Sequence, residues 1–148
     1  MPKNFSSKSF YRIVDANINR AKEGLRVLEE FTRFILNDYL LTSNLKNVRH
    51  ELEEIISRLG VTKFSLIEKR DSRRDVGKDI LGKETQRRDY PDILLANTGR
   101  VKESIRVLEE FSKLLSKNIA LKLKKVRYSV YDIEKKIVKK IKTLRNIG

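Results

Sequence analysis

Between residues 68 and 90 the chain reads EKRDSRRDVGKDILGKETQRRDY, in which Arg70, Arg73, Arg74, Arg87 and Arg88 alternate with Asp71, Asp75, Asp79 and Glu84. Guanidinium groups fork onto phosphate oxygens, and carboxylates hold hard divalent cations. The mixture therefore suits a Mg²⁺-bound polyphosphate, with Asp71, Asp75 and Glu84 as candidate metal ligands and Arg70 and Arg87 as candidate catalytic, phosphate-binding cations. The stretch Gly77 to Lys83 has the glycine and lysine spacing of a P-loop, but Glu84 stands where the Mg²⁺-binding Ser or Thr is needed, and no apolar strand precedes it. A charged loop that binds phosphate without a P-loop is the expectation, against the alternative of a merely solvated connection.

A second set of polar residues sits within apolar helical patterns. Asn17, Arg20 and Glu23 in the first half recur as Asn97, Arg100 and Glu103 in the second. The helical wheel places Asn17 and Arg20 on the side of Gly24, Phe31 and Ile35. A guanidinium on such a stripe needs an internal acid or a bound anion. Arg20 and Arg100 are thus candidate catalytic cations, and Asn17, Asn97, Glu23 and Glu103 candidate substrate-binding groups; an Arg20–Glu23 ion pair is the competing structural reading. Arg26, Glu29, Glu30, Arg106, Glu109 and Glu110 fall on outer or flanking sides, as surface pairs. His50, the sole histidine, is a further substrate-binding candidate, though a lone helical histidine more often serves structure.

These residues are positioned by a sequence that contains itself twice. Residues 16–31 (ANINRAKEGLRVLEEF) and 96–111 (ANTGRVKESIRVLEEF) are identical at 11 of 16 positions, and LKNVRHELEEI (45–55) is echoed by LKKVRYSVYDI (123–133). Such self-similarity governs the fold. Each copy, about 11–59 and 90–145, predicts a helical hairpin, and the two form an all-α bundle joined by the charged loop at about 68–89. Ile13, Gly24, Val27, Leu28, Phe31, Phe34 and Ile35 form the expected core stripe of the first helix. Asn37 and Asp38 read as stop signals. Thr42 or Ser43 would cap the second helix, which Gly60 ends, and Asp89 would cap the third, with Pro91 in its first turn. Thr62 to Ile67 is expected to form a short helical turn. The last helix runs from about Asn118 towards Arg145, its lysines solvated.

The chain has 148 residues, enough for one domain with a single core. Its net charge of +14 favours anionic partners. It has no cysteine, so disulfides, thiolate metal sites and cysteine nucleophiles are excluded. No apolar run reaches membrane-spanning length and the amino terminus lacks an apolar leader core, so a soluble cytoplasmic protein with no membrane partner is expected.

The segments DANINRAKEGLRVLEEFTRF, KNVRHEL, KRDSRRDVG, ETQR and LLANTGRVKESIRVLEEF, in that order, resemble the monofunctional hydroxymethylpyrimidine phosphate kinase domain often fused ahead of thiamin phosphate synthase. The likeness spans about residues 11 to 116. It implies transfer of the γ-phosphoryl group of ATP to hydroxymethylpyrimidine phosphate, with ATP and Mg²⁺ as cofactors and a small molecule and a nucleotide as partners. Arg26, Gly77 and Arg106 match family-typical positions, as do the candidates named above apart from their surface neighbours. Ser72-Arg73-Arg74 departs from a pattern of Thr followed by small or turn-forming residues. The synthase domain of such fusions is a (β/α)₈ barrel, too large for this chain. A chorismate-mutase-like helical enzyme and a basic nucleic-acid-binding module are the rival readings. Internally placed arginines argue against the second, and a homo-oligomer is compatible with either enzyme.

Overall fold

The computed structural model describes residues 6–80 and 85–147, with side chains as far as 145. The chain is all-helical: α1 (Ser7–Glu30), continued by a wide turn at Phe31–Ile35, α2 (Tyr39–Ser57), α3 (Lys63–Lys69), α4 (Tyr90–Ser112) and α5 (Lys117–Ile147). No strand occurs among the described residues. Hairpins α1–α2 and α4–α5 correspond to the two sequence copies, and α1 packs along α4, α4 along α5, and α2 against both α1 and α5.

The core is largely aliphatic, with Phe10 and Phe31 packed into it. Phe10, Val14, Ala21, Leu25 and Leu28 of α1 meet Leu45 and Leu52 of α2, Val101, Ile105 and Leu108 of α4, and Leu123, Val126, Val130 and Ile137 of α5. Gly24 lies tightly against α4. A Cβ there would lie 2.6 Å from Val101 Cγ2 and 3.2 Å from the carbonyl oxygen of Asn97.

The end of α1 departs from the expected stripe. At Phe31–Ile35 the backbone widens, so that Leu36 donates to the carbonyl of Phe31, five residues back, at 3.1 Å. The extra residue slips the helical phase. Phe31, Thr32 and Leu36 turn inward, whereas Phe34 and Ile35 face out, and Val27 is exposed as well. Asn37 adopts a left-handed φ of 52°, a conformation Asn tolerates better than most residues. Asp38 then caps α2, its Oδ1 accepting from the Leu41 amide at 2.9 Å. The cap thus precedes Thr42, whose hydroxyl instead donates to the Asp38 carbonyl and bonds to Thr32.

The other boundaries follow the sequence reading. Gly60 ends α2 with a φ of 78°. Thr62 caps α3 in a reciprocal box with Ser65. Asp89 caps α4, with Pro91 in its first turn. No described helix is long and apolar enough to cross a membrane.

Candidate functional site

Arg70, at the end of α3, reaches back to α1 and forks onto Asp15, with Nε to Oδ2 at 2.7 Å and Nη2 to Oδ1 at 2.8 Å. Asp15 is buried and also accepts from Asn19 Nδ2 at 3.1 Å. Geometry of this kind is the strong form of an ion pair. The pairing lifts the Arg70 guanidinium further above its ordinary pKa, chiefly through the hydrogen bond to Asp15. It also fixes where the charged loop leaves α3.

The loop is thereby held over the first half of α1, where a cleft of about 460 Å³ is lined by Arg12, Asn17, Arg20, Arg70, Asp71 and Asp75, together with Asp15, Asn19 and smaller residues. Five of the sequence-predicted site residues meet here. The loop beyond Arg70 is shaped by its own carboxylates: Asp71 Oδ1 accepts from the Arg74 amide at 3.2 Å, and Asp75 Oδ1 from the Gly77 amide at 2.8 Å. Arg12 and Arg20 stand two turns apart on α1 with the small Ala16 between them, and neither has an acidic partner among the described residues. Arg12, Asp15 and Asn19 escape the sequence reading because none recurs in the second copy.

Arg20 is exposed, not embedded in the apolar stripe, and among the described residues its guanidinium donates only to Asn17 Oδ1 at 3.5 Å. Arg100 is likewise half-exposed and pairs across the helix interface with Glu23 at 3.8 Å. The expected burial of both arginines is therefore corrected, as is the Arg20–Glu23 pair. The long stems carry the guanidinium groups out to solvent from helix positions near the stripe. With them goes the enclosed guanidinium cavity that a chorismate-mutase-like reading requires.

Asn17 and Asn97 are tied into their own helices, each donating from Nδ2 to a carbonyl four residues back, Ile13 at 2.9 Å and Ile93 at 2.8 Å. Asn97, Arg100 and Glu103 lie on α4 away from the cleft. Glu103 lines a separate opening with Gly99, Lys102, Arg106, Arg127 and Tyr131. His50 is exposed on α2. Arg87 is exposed before α4, with Nη1 donating to the Gln86 carbonyl at 2.8 Å. Glu84 falls outside the described residues. No cluster of three metal-ligating side chains occurs among the described residues. Asp71 and Asp75 supply two carboxylates to the cleft, and Mg²⁺ bound together with a nucleotide needs only one or two, the rest of its shell being phosphate and water.

Glu29 and Glu109 are buried, correcting their expected outer placement. Arg49 of α2 grips Glu29 through Nε at 3.1 Å and Nη2 at 3.3 Å, and Arg127 of α5 donates to Glu109 at 2.9 Å. Arg26 and Arg106 add a second cation to each carboxylate. These two matching clusters are the duplicated polar interior of the bundle.

Bordering the charged cleft at the Asp15–Arg70 bridge, an apolar groove of about 450 Å³ runs between α1, the end of α2 and α3. A wider opening of about 570 Å³ lies at the far end of α1, lined by Arg26, Arg33 and Lys46 and by Glu29, Glu30 and Asp38. Its charges balance, and none of the described loop residues reaches it. The charged cleft, joined to the groove through Asp15, Asn19 and Arg70, is the better site for a phosphorylated ligand.

The profile of the ThiD2 family matches residues 12–136. A thiamine-phosphate synthase of Rhodopirellula baltica is 42% identical over 129 residues, which cover 86% of this chain and 34% of that protein. Proteins of the same name from Nostoc punctiforme and Synechocystis sp. are 41% and 38% identical, over 86% and 87% of this chain and 35% and 36% of theirs. The chain thus spans about a third of the length of these relatives. No solved structure matches it. With the profile spanning the first sequence copy, the loop and most of the second copy, the chain belongs to the ThiD2 family.

Proposed function

We propose that this chain works in thiamin biosynthesis as an ATP-dependent kinase that converts hydroxymethylpyrimidine phosphate to the diphosphate. The observation that carries the reading is the junction at Asp15–Arg70, where an apolar groove adjoins a cleft furnished with Arg12, Arg20, Arg70, Asp71 and Asp75. A heteroaromatic phosphate ester has the same two-part character. The sequence resemblance and the name borne by the relatives point to the same pathway. The synthase reaction itself is a poorer assignment, because the barrel that the resemblance associates with it is typically about 250 residues of alternating strand and helix, and the described residues are all helical.

In this reaction an oxygen of the substrate's phosphate attacks the γ-phosphorus of ATP. The new bond forms as the bond from that phosphorus to the β–γ bridging oxygen breaks, and ADP leaves. The attacking phosphate is already largely ionised near pH 7, its second pKa being about 6. No enzymic base is required, which fits a cleft without histidine or cysteine. Catalysis then rests on positioning and charge neutralisation. Asp71 and Asp75 would hold Mg²⁺ accompanying the nucleotide, while Arg12 and Arg20 meet phosphate oxygens. Arg70, committed to Asp15, sets the height of the loop above α1.

The test is a phosphoryl-transfer assay with purified protein, ATP, Mg²⁺ and hydroxymethylpyrimidine phosphate. Formation of the pyrimidine diphosphate and ADP in equal amounts, abolished by EDTA, is expected. Absence of transfer, or equal turnover of unphosphorylated hydroxymethylpyrimidine, would overturn the proposal.

A further inference from the structure

The two copies in this chain differ most at one place. In the first, Gly60 breaks the second helix of the hairpin and turns the chain back, so that α3 packs on α1. The position equivalent to Gly60 in the second copy is Val138, inside the uninterrupted α5. Among the described residues only the first copy therefore has a roof over the flank of its hairpin, and under that roof lies the apolar groove.

We infer that this groove seats the heterocyclic ring of the phosphorylated substrate, with Glu53 as its polar reader, and that the chain has one such ring site. The inference rests on the kinase reading for the identity of the ring. Ile18, Ile56, Val61 and Leu66, all buried, present an apolar floor. The groove volume of about 450 Å³ lies within the ordinary range for small-molecule sites. On the rim, Lys22 Nζ pairs with Glu53 Oε1, and both side chains remain about one-third exposed. The hydrogen bond from Lys22 holds the Glu53 carboxyl below its usual pKa, with Lys63 and Arg49 acting in the same direction. An ionised carboxylate accepts about four hydrogen bonds, so Glu53 retains capacity for an amino substituent on a ring in the groove. Asp15, already gripped by Arg70 and Asn19, is a wall shared with the charged cleft. A ring on the floor thus directs its phosphate across Arg70 towards Arg12 and Arg20.

The second copy has lost this equipment. The counterparts of Asp15, Asn19 and Glu53 are Leu95, Gly99 and Tyr131, and only Lys22 is retained, as Lys102, stacked over the Tyr131 ring at 4.8 Å.

Two variants test the site. Glu53→Gln changes a rim residue, and Ile67→Trp, at an exposed position lining the groove, obstructs it without entering the core. Each is expected to raise KM for hydroxymethylpyrimidine phosphate by about tenfold or more, Glu53→Gln on the scale of one lost charge-assisted contact and Ile67→Trp by steric exclusion of the ring, with KM for ATP and the melting temperature unchanged. Lys102→Ala, at the equivalent place in the second copy, should leave both constants unchanged. Calorimetric titration of the wild-type protein should give one pyrimidine phosphate per chain. Unchanged KM in both groove variants, or two equivalents bound, would overturn the assignment. A separate arm uses 4-aminopyrimidine and amide chemical shifts, which need no turnover. Perturbation of Ile56, Val61 and Leu66 in the wild type, lost in Ile67→Trp, supports the groove even if phosphoryl transfer is absent and the kinase reading falls. No perturbation there overturns the groove while leaving that reading to its own assay.

Discussion

Arg70 and Asp15, separated by 55 residues, are joined through both carboxylate oxygens at 2.7 and 2.8 Å, and this bond sets the loop carrying Asp71 and Asp75 against α1. Breaking a fully buried pair by removing one partner costs about 3–5 kcal/mol. Arg70 is 43% exposed, so solvent screening reduces the cost to about 1–2 kcal/mol. Arg70→Lys keeps the charge but loses the fork. It should lower kcat/KM by about a hundredfold, the scale of a misplaced site, and increase proteolytic cleavage within residues 71–80. Wild-type cleavage and activity in this variant would deny the loop its dependence on the bridge.

Arg12 and Arg20 have no acidic partner among the described residues, which separates binding from stability. Substitution of either by Met should change stability by no more than about 0.5 kcal/mol while strongly reducing turnover. Thermal melts alongside the kinase assay check this, and a large drop in melting temperature with retained activity per folded molecule would assign these arginines to structure.

Gly24 should resist enlargement. Alanine would gain up to about 1 kcal/mol of helix propensity, but its Cβ would meet Val101 Cγ2 at 2.6 Å and the Asn97 carbonyl at 3.2 Å. Overpacking of this kind costs about 1–3 kcal/mol. Net destabilisation is expected for Gly24→Ala. Combining it with Val101→Ala should be less costly than the sum of the two single changes, as measured by denaturant unfolding.

Asp38 supplies an acid-sensitive element. The Leu41 amide, followed by the Lys140 ammonium, holds its carboxyl below the usual range, against desolvation, which raises it. A depressed carboxylate contributes stability that is fully present above its unfolded pKa of about 4 and is lost as pH falls through the lower folded value. Melting temperature should decline below about pH 4, and Asp38→Asn, which keeps a capping oxygen, should flatten that decline. Asp38→Ala removes the cap and should cost about 1 kcal/mol at neutral pH.

The buried clusters at Glu29 and Glu109 should be intolerant of single changes. Arg49 and Arg127 are only 17% and 13% exposed. Glu109→Gln is expected to destabilise by about 3 kcal/mol. A Glu109→Met, Arg127→Met double variant should lie closer to wild type than either single change, because no buried charge is then stranded, Arg106 being half-exposed and paired with Glu110 as well. Chemical denaturation of the three proteins decides it.

Much of the architecture was legible because its signals are local. The repeated ANxxRxKE segment, Gly60, and Asp89 followed by Pro91 each state a boundary in neighbouring residues. The phase slip at Phe31–Ile35 was not legible, since a straight wheel assumes 3.6 residues per turn and the wide turn adds one. Burial of Arg20 was overestimated because a wheel places Cα atoms, whereas a guanidinium lies several bonds away. Glu29 did carry a signal: with Leu25, Leu28 and Thr32 it completes an i, i+3, i+4, i+7 face, and Arg49 and Arg127 recur in the second echo. Asp15 carried none, because its partner lies 55 residues ahead.

The helix crossing at Gly24 also bears on how such a molecule can change over generations. In an assembly of two identical subunits about a twofold axis, every substitution at the interface is made on both sides at once. Here the two matching hairpins are one polypeptide, and the positions no longer mutate together: glycine stands at residue 24 and serine at its counterpart, Ser104. Joining the copies releases each from the constraint of self-complementarity. One half could acquire a break and a folded-back helix while the other kept a continuous helix as its brace.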